Sequence, residues 1–72
     1  MESIQIKDDF IKLGQALKLA GLVDSGVEAK EVITSGKVKC NGETAVQRGK
    51  KLVDGDLIEY EGKSFKVVSN KM

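Results

Sequence analysis

Lys37, Lys39, Arg48, Lys50 and Lys51 are the side chains of this sequence whose types and spacing could do chemistry. They fall within fifteen residues that hold one acid, Glu43, so the stretch carries +4 whereas the whole 72-residue chain carries +1. Clustered ammonium and guanidinium groups neutralise phosphates, and the planar arginine fork adds a two-pronged contact that lysine cannot copy. Lys30 lies just before the cluster, and Lys18 and Gln47 are further candidates for the same contacts. Gln15, Ser25 and Asn41 could also donate to phosphate or 2′-hydroxyl groups, but a helix cap and a tight turn account for the last two. Other chemistries are excluded by inventory. The chain has no histidine, hence no imidazole base or ligand, and its one cysteine, Cys40, makes neither an internal disulfide nor a Cys-x-x-Cys zinc site. Cys40 reads as a small buried hydrophobe. Asp54 and Asp56 read as turn residues, not a metal pair. No catalytic group, cofactor or metal is expected.

The elements that must position these cations follow from local patterns. Ser25 and Glu28 have capping-box spacing, with the glutamate reaching back to the cap. Ala29, Val32, Ile33 and Gly36 then form an inward stripe, predicting a helix over 26–35 that stops at Gly36. Lys37-Val38-Lys39-Cys40 alternates like a strand, and Asn41-Gly42 predicts a tight hairpin turn. Thr44-Ala45-Val46 reads as the return strand, and residues 47–51 as a polar loop. Upstream, Leu13, Ala16, Leu17 and Ala20 predict a first helix over 13–20, with Gly14 inside it and Gly21 as its stop. Residues 2–7 alternate as a strand, Asp8-Asp9 is a break, and Phe10 and Ile11 lead into the helix as core anchors. Downstream, Leu52-Val53 is apolar and Asp54-Gly55 is a turn, Gly55 serving its backbone geometry. Strands over 57–60 and 64–68 flank a hairpin at Glu61-Gly62-Lys63, with Ile58 and Tyr60 on one face and Phe65 and Val67 on another. Phe10, Tyr60 and Phe65 all sit in apolar patterns and read as core. Without stacking platforms, sequence-specific reading of a single-stranded nucleic acid is disfavoured. Residues 69–72 read as a frayed polar tail.

Seventy-two residues make a single domain, 1–72, with a small core. The fold class expected is α+β: two short helices packed on a small, mostly antiparallel β-sheet. No apolar run approaches the ~18 residues of a membrane span. The first fifteen residues include Glu2, Asp8 and Asp9 and lack the apolar stretch of a secretion signal, so a cytoplasmic protein with no membrane partner is expected.

The run LGQALKLAGLVDSGVEAKEVITSGKVKCNGE, followed by RGKKLVDGD, resembles the RNA-binding domain named after the fourth protein of the small ribosomal subunit, the S-four domain or α-L motif. The family pattern falls on Ala29, Lys30, Ile33, Gly36, Val38, Cys40, Asn41, Gly42, Gly55 and Asp56, and the motif core covers 13–56. The flanks are similar to small stand-alone bacterial proteins of the YbcJ/YaaA type, in which this domain is nearly the whole polypeptide. Three positions depart from the pattern. Cys40 stands where valine is commoner, Lys12 where a serine or threonine would cap the first helix, and the first helix offers Lys18 without an arginine-rich surface. The resemblance implies a monomeric, non-enzymatic RNA-binding protein whose partner is structured RNA, ribosomal or tRNA-like, or an assembling ribosomal subunit. Its RNA-binding residues would be Lys30, Lys37, Lys39, Arg48, Lys50 and Lys51, with Lys18 and Gln47 in support. Ser25, Glu28, Gly36, Asn41, Gly42 and Gly55 would serve cap and turns. Two rivals remain: a protein-interaction adaptor, and an RNA-positioning accessory to a separate RNA-modifying enzyme. A ubiquitin-like sulfur carrier is disfavoured, because the sequence Ser-Asn-Lys-Met replaces the Gly-Gly tail such carriers need.

Overall fold

The computed structural model describes residues 2–70. In chain order it contains β1 (Glu2–Ile6), β2 (Ile11–Lys12), α1 (Leu13–Leu19), α2 (Gly26–Thr34), β3 (Val38–Cys40), β4 (Glu43–Thr44), β5 (Lys51–Leu52), β6 (Leu57–Tyr60) and β7 (Lys63–Ser69). Both helices lie within a residue of their expected bounds. Ser25, in extended backbone, caps α2 by accepting from the Glu28 amide at 3.2 Å. Glu28 answers one residue further back than the capping box requires, its carboxylate accepting from the Asp24 amide at 2.7 Å. Both helices end in the same six-to-one, five-to-two pair of bonds. Leu22 and Gly21 donate to Leu17 and Lys18 in α1, and Lys37 and Gly36 to Val32 and Ile33 in α2. Gly21 and Gly36 have φ of +77° and +80°, the left-handed backbone this ending requires.

The main sheet has the order β1-β7-β6-β3-β4. It is antiparallel except for β1, which runs parallel to β7 from Glu2 beside Phe65 to Ile6 beside Ser69. Asn41 and Gly42, at φ 54° and 86°, turn β3 into β4 as expected. Glu61 and Gly62 make the second such turn, with Lys63 already inside β7. The helices cover one sheet face. Leu13, Ala16 and Leu17 of α1 and Ala29, Val32 and Ile33 of α2 join Val38, Cys40, Ile58, Tyr60, Phe65 and Val67 in a single apolar cluster. Ile58 pairs with Phe65, so Ile58, Tyr60, Phe65 and Val67 share this one core face.

Four expectations are corrected. The return strand is Glu43–Thr44; beyond it buried Ala45 donates one more bond, to the Val38 carbonyl at 2.9 Å, and Val46 is exposed. Ile11-Lys12 and Lys51-Leu52 pair as a separate antiparallel ladder, which two-residue strands are too short to announce by alternation. Phe10 is 39% exposed, not a core anchor. The tail is tied down as far as Asn70. The Ser69 amide donates to Asp54 at 2.8 Å, its hydroxyl to the Asp8 carbonyl at 2.9 Å, and the Asn70 amide to Ile6 at 2.8 Å. Residues 71–72 lie outside the described residues.

Candidate nucleic-acid interface

The basic loop is held by its backbone. α1 is preceded at its N-cap position by Lys12, which supplies no side-chain cap. The free amides of its first turn go elsewhere: Leu13 donates to the Lys50 carbonyl at 2.9 Å and Gly14 to the Arg48 carbonyl at 3.0 Å. Ala45 and fully buried Leu52 anchor the loop on either side. The side chains of Gln47, Arg48, Lys50 and Lys51 are left exposed.

These side chains split between three places. Arg48 turns toward the helices, where with Lys12, Gln15 and Lys18 it lines a groove of about 310 Å³ between α1, α2 and the loop. Gly14 and Ala29 lie in its floor. A β-carbon on Gly14 would stand 3.6 Å from the Arg48 Cβ and 3.8 Å from the Ala29 Cβ, so the space over this glycine is about one methyl group deep. Three cations and no acid line this groove. Lys50 and Gln47 face the hairpin instead, sharing a second groove with Cys40, Asn41 and Glu43, whose sign is mixed. Lys51 places its Nζ over the Phe10 ring, 4.8 Å from the centroid.

The remaining candidates are dispersed. Lys39 lies on the sheet face away from the helices, directly opposite Glu59, which offsets its charge. Lys30 on α2 and Lys37 just after it are exposed and line neither groove. Lys12 was not among the sequence candidates. Its signal was nonetheless legible, because Lys12, Gln15 and Lys18 recur every three residues, opposite the buried Leu13, Ala16 and Leu17 stripe.

Asn41 and Asp56 join the hairpin turn to the turn before β6. The Asn41 amide group donates to Asp56 at 3.0 Å, and its side-chain oxygen accepts from the Leu57 amide at 2.9 Å. The other Asp56 oxygen accepts from the Val53 amide at 2.8 Å, and Asp54 accepts from Ser69. Both aspartates are thus used by backbone and turn, and no group of residues suited to a metal occurs among the described residues. Cys40 is buried beside this lock. Its thiol is pushed up from the ordinary value by burial, then by the Asp56 and Glu43 carboxylates, against a lowering pull from Lys50.

A protein-family model for the S4 domain matches residues 4–68. The chain belongs to the S4-domain family. A relative from Bacillus subtilis (strain 168), named as a probable ribosome maturation protein, RlbA, is 45% identical over 67 residues, spanning 92% of this chain and 94% of the relative. A putative RNA-binding protein of Escherichia coli (strain K12), YbcJ, is 35% identical over 63 residues, covering 88% of this chain and 90% of its own. The solution structure of E. coli YbcJ, described as revealing an α-L motif involved in RNA binding, superposes with a TM-score of 0.73 at 33% identity, over 94% of this chain and 87% of that one. The 30S ribosomal protein S4e of Thermoplasma acidophilum gives a TM-score of 0.67 at 31% identity, over 89% of this chain and 34% of that longer one. The S4-type signature has a physical basis in this chain. Gly36 ends α2, Asn41-Gly42 turns the hairpin, and Asp56 receives Asn41. Among the described residues, no helix is long and apolar enough to cross a membrane.

Proposed function

We propose that this S4-domain chain binds structured RNA without catalysis, ribosomal RNA or an assembling ribosomal subunit in particular, by gripping the phosphate backbone. The observation that carries the reading is the groove between α1 and α2. Lys12, Lys18 and Arg48 line it with no acid among them, in a chain whose net charge is only +1. The surface continues through the loop to Lys50 and Lys51, whose backbone is pinned to α1. A pinned loop presents its charges without further ordering on binding, which spares part of the entropic cost of association. Lysines and one arginine fix register on a backbone and carry little base information, so affinity should vary little among folded RNAs of similar shape. The names of the B. subtilis and E. coli relatives point the same way.

The test is a salt titration of binding to a folded ribosomal RNA fragment, between about 50 and 200 mM salt. With about four phosphates neutralised at once, the log–log slope should be roughly −3 to −4. Changing Lys12 and Arg48 together to alanine should flatten it by up to about two units, each lost phosphate contact removing 0.7 to 0.9. Binding that ignores salt, or that survives loss of Lys12, Lys18 and Arg48, would refute the phosphate mechanism.

A further inference from the structure

We propose that Phe10 is a stacking platform for an unpaired base of the bound RNA, a subsite that rests on the RNA-binding reading and sharpens its substrate to structured RNA with an extruded nucleotide. Of the three aromatic residues, Tyr60 and Phe65 are buried at 9% and 1% exposure, whereas Phe10 remains 39% exposed. The ring is well placed. Ile11 and Lys12 pair with Leu52 and Lys51, so the residue just before Ile11 falls opposite Val53, with Lys51 its diagonal neighbour across the ladder. The Lys51 Nζ lies over one face of the ring, 4.8 Å from the centroid, so a base takes the opposite face or displaces this exposed lysine.

Two surface grooves meet at this ring. Ile11, Lys18 and Leu19 line one, Lys7, Asp9 and Lys12 the other, and Asp8 and Gln15 line both. Lys12, Gln15 and Lys18 also line the cationic groove between the helices, so the Phe10 site is continuous with the proposed phosphate track. The chemistry beside the ring suits a base better than a phosphate. An aromatic face offers a phosphate nothing, and the Asp8 carboxylate would repel it. A neutral base can stack on the ring, while the Gln15 amide can both donate to and accept from its edge. The surrounding lysines hold the backbone on either side. The base must be unpaired, since one inside a duplex keeps its faces stacked on its neighbours.

The chain has no tryptophan, so Phe10→Trp places a single reporter at the site. It would be titrated with two RNA hairpins identical except that one carries a short bulge. Emission should be quenched by the bulged hairpin and not by the fully paired one. In parallel, Phe10→Leu, which keeps an apolar surface but removes the ring, should weaken the bulged hairpin about 5- to 150-fold, the equivalent of 1–3 kcal/mol per stacked base. It should leave the paired hairpin unchanged. If Phe10→Leu fails to fold, the tryptophan titration decides alone. Salt-dependent binding of both hairpins with no quenching and no effect of Phe10→Leu would overturn the stacking site and leave the phosphate reading standing. Equal quenching by both would overturn the requirement for an unpaired base. Binding of neither hairpin by the unaltered chain would overturn both readings.

Discussion

Cys40 sets the behaviour of the molecule's one thiol by position alone. It faces the core next to the Asn41–Asp56 lock, and burial with two nearby carboxylates holds its proton more tightly than in a free cysteine. The raised value applies to the folded state only. The stabilising difference is therefore complete below the unfolded thiol value, about 8.5, and is lost as pH rises through the folded value. Alkylation of the folded chain should be slow at neutral pH, with a midpoint displaced upward from that of the denatured chain. Lys50→Ala removes the one opposing charge and should displace it further. A folded-state midpoint at or below the denatured one would contradict this account. The same scale explains why Arg48 and Lys50 can be altered for binding experiments: the helix bonds to their carbonyls, which every residue supplies.

At the scale of elements, the Asn41–Asp56 contact connects two turns that are fifteen residues apart in sequence. Asn41→Ala removes one bond to a carboxylate and one to the Leu57 amide, and places alanine at a φ of 54°. Destabilisation of about 1–3 kcal/mol is expected from denaturant midpoints. A double-mutant cycle with Asp56→Ala should show coupling of about 0.5–3 kcal/mol; additive effects would mean that the two side chains act separately. Elements defined by local rules were legible in the sequence: the Ser25 cap, the Gly21 and Gly36 stops, the Asn41-Gly42 turn and the β6–β7 hairpin. What depended on distant partners was not. The β2–β5 ladder offers two residues a side, and nothing in Ser69-Asn70 announces Asp54 and Ile6 as partners. The basic loop could be read from charge density, but its division between the Arg48 and Lys50 grooves could not, because that split depends on which carbonyls cap α1. Lys39 shows the same limit: alternation gave its face, but only the register shows Glu59 opposite.

At the scale of the whole molecule, the core and the cations proposed to meet RNA are separate groups of residues. The core draws on apolar residues from both helices and the sheet, while the loop cations are exposed. Lys50→Ala with Lys51→Ala should therefore flatten the salt slope of RNA binding by up to about two units. Thermal stability should fall by no more than about 1 kcal/mol, the contribution of an exposed lysine over an aromatic ring. A collapse of stability would show that the loop side chains support the fold.

The parallel pairing of β1 with β7 has a consequence for how the chain assembles. β7 lies between β1 and β6, yet it is made after every element it joins. While synthesis proceeds from the amino end, β1 waits with Ile4 and Ile6 uncovered, although both helices and the β3–β4 hairpin are already in the chain. The pairing of residues 2–6 with 65–69 closes the longest loop in the described chain, a step whose entropic cost must be met before its contacts reward it. The cationic face is thus encoded early, whereas the sheet is complete only once the final strand pairs between β1 and β6.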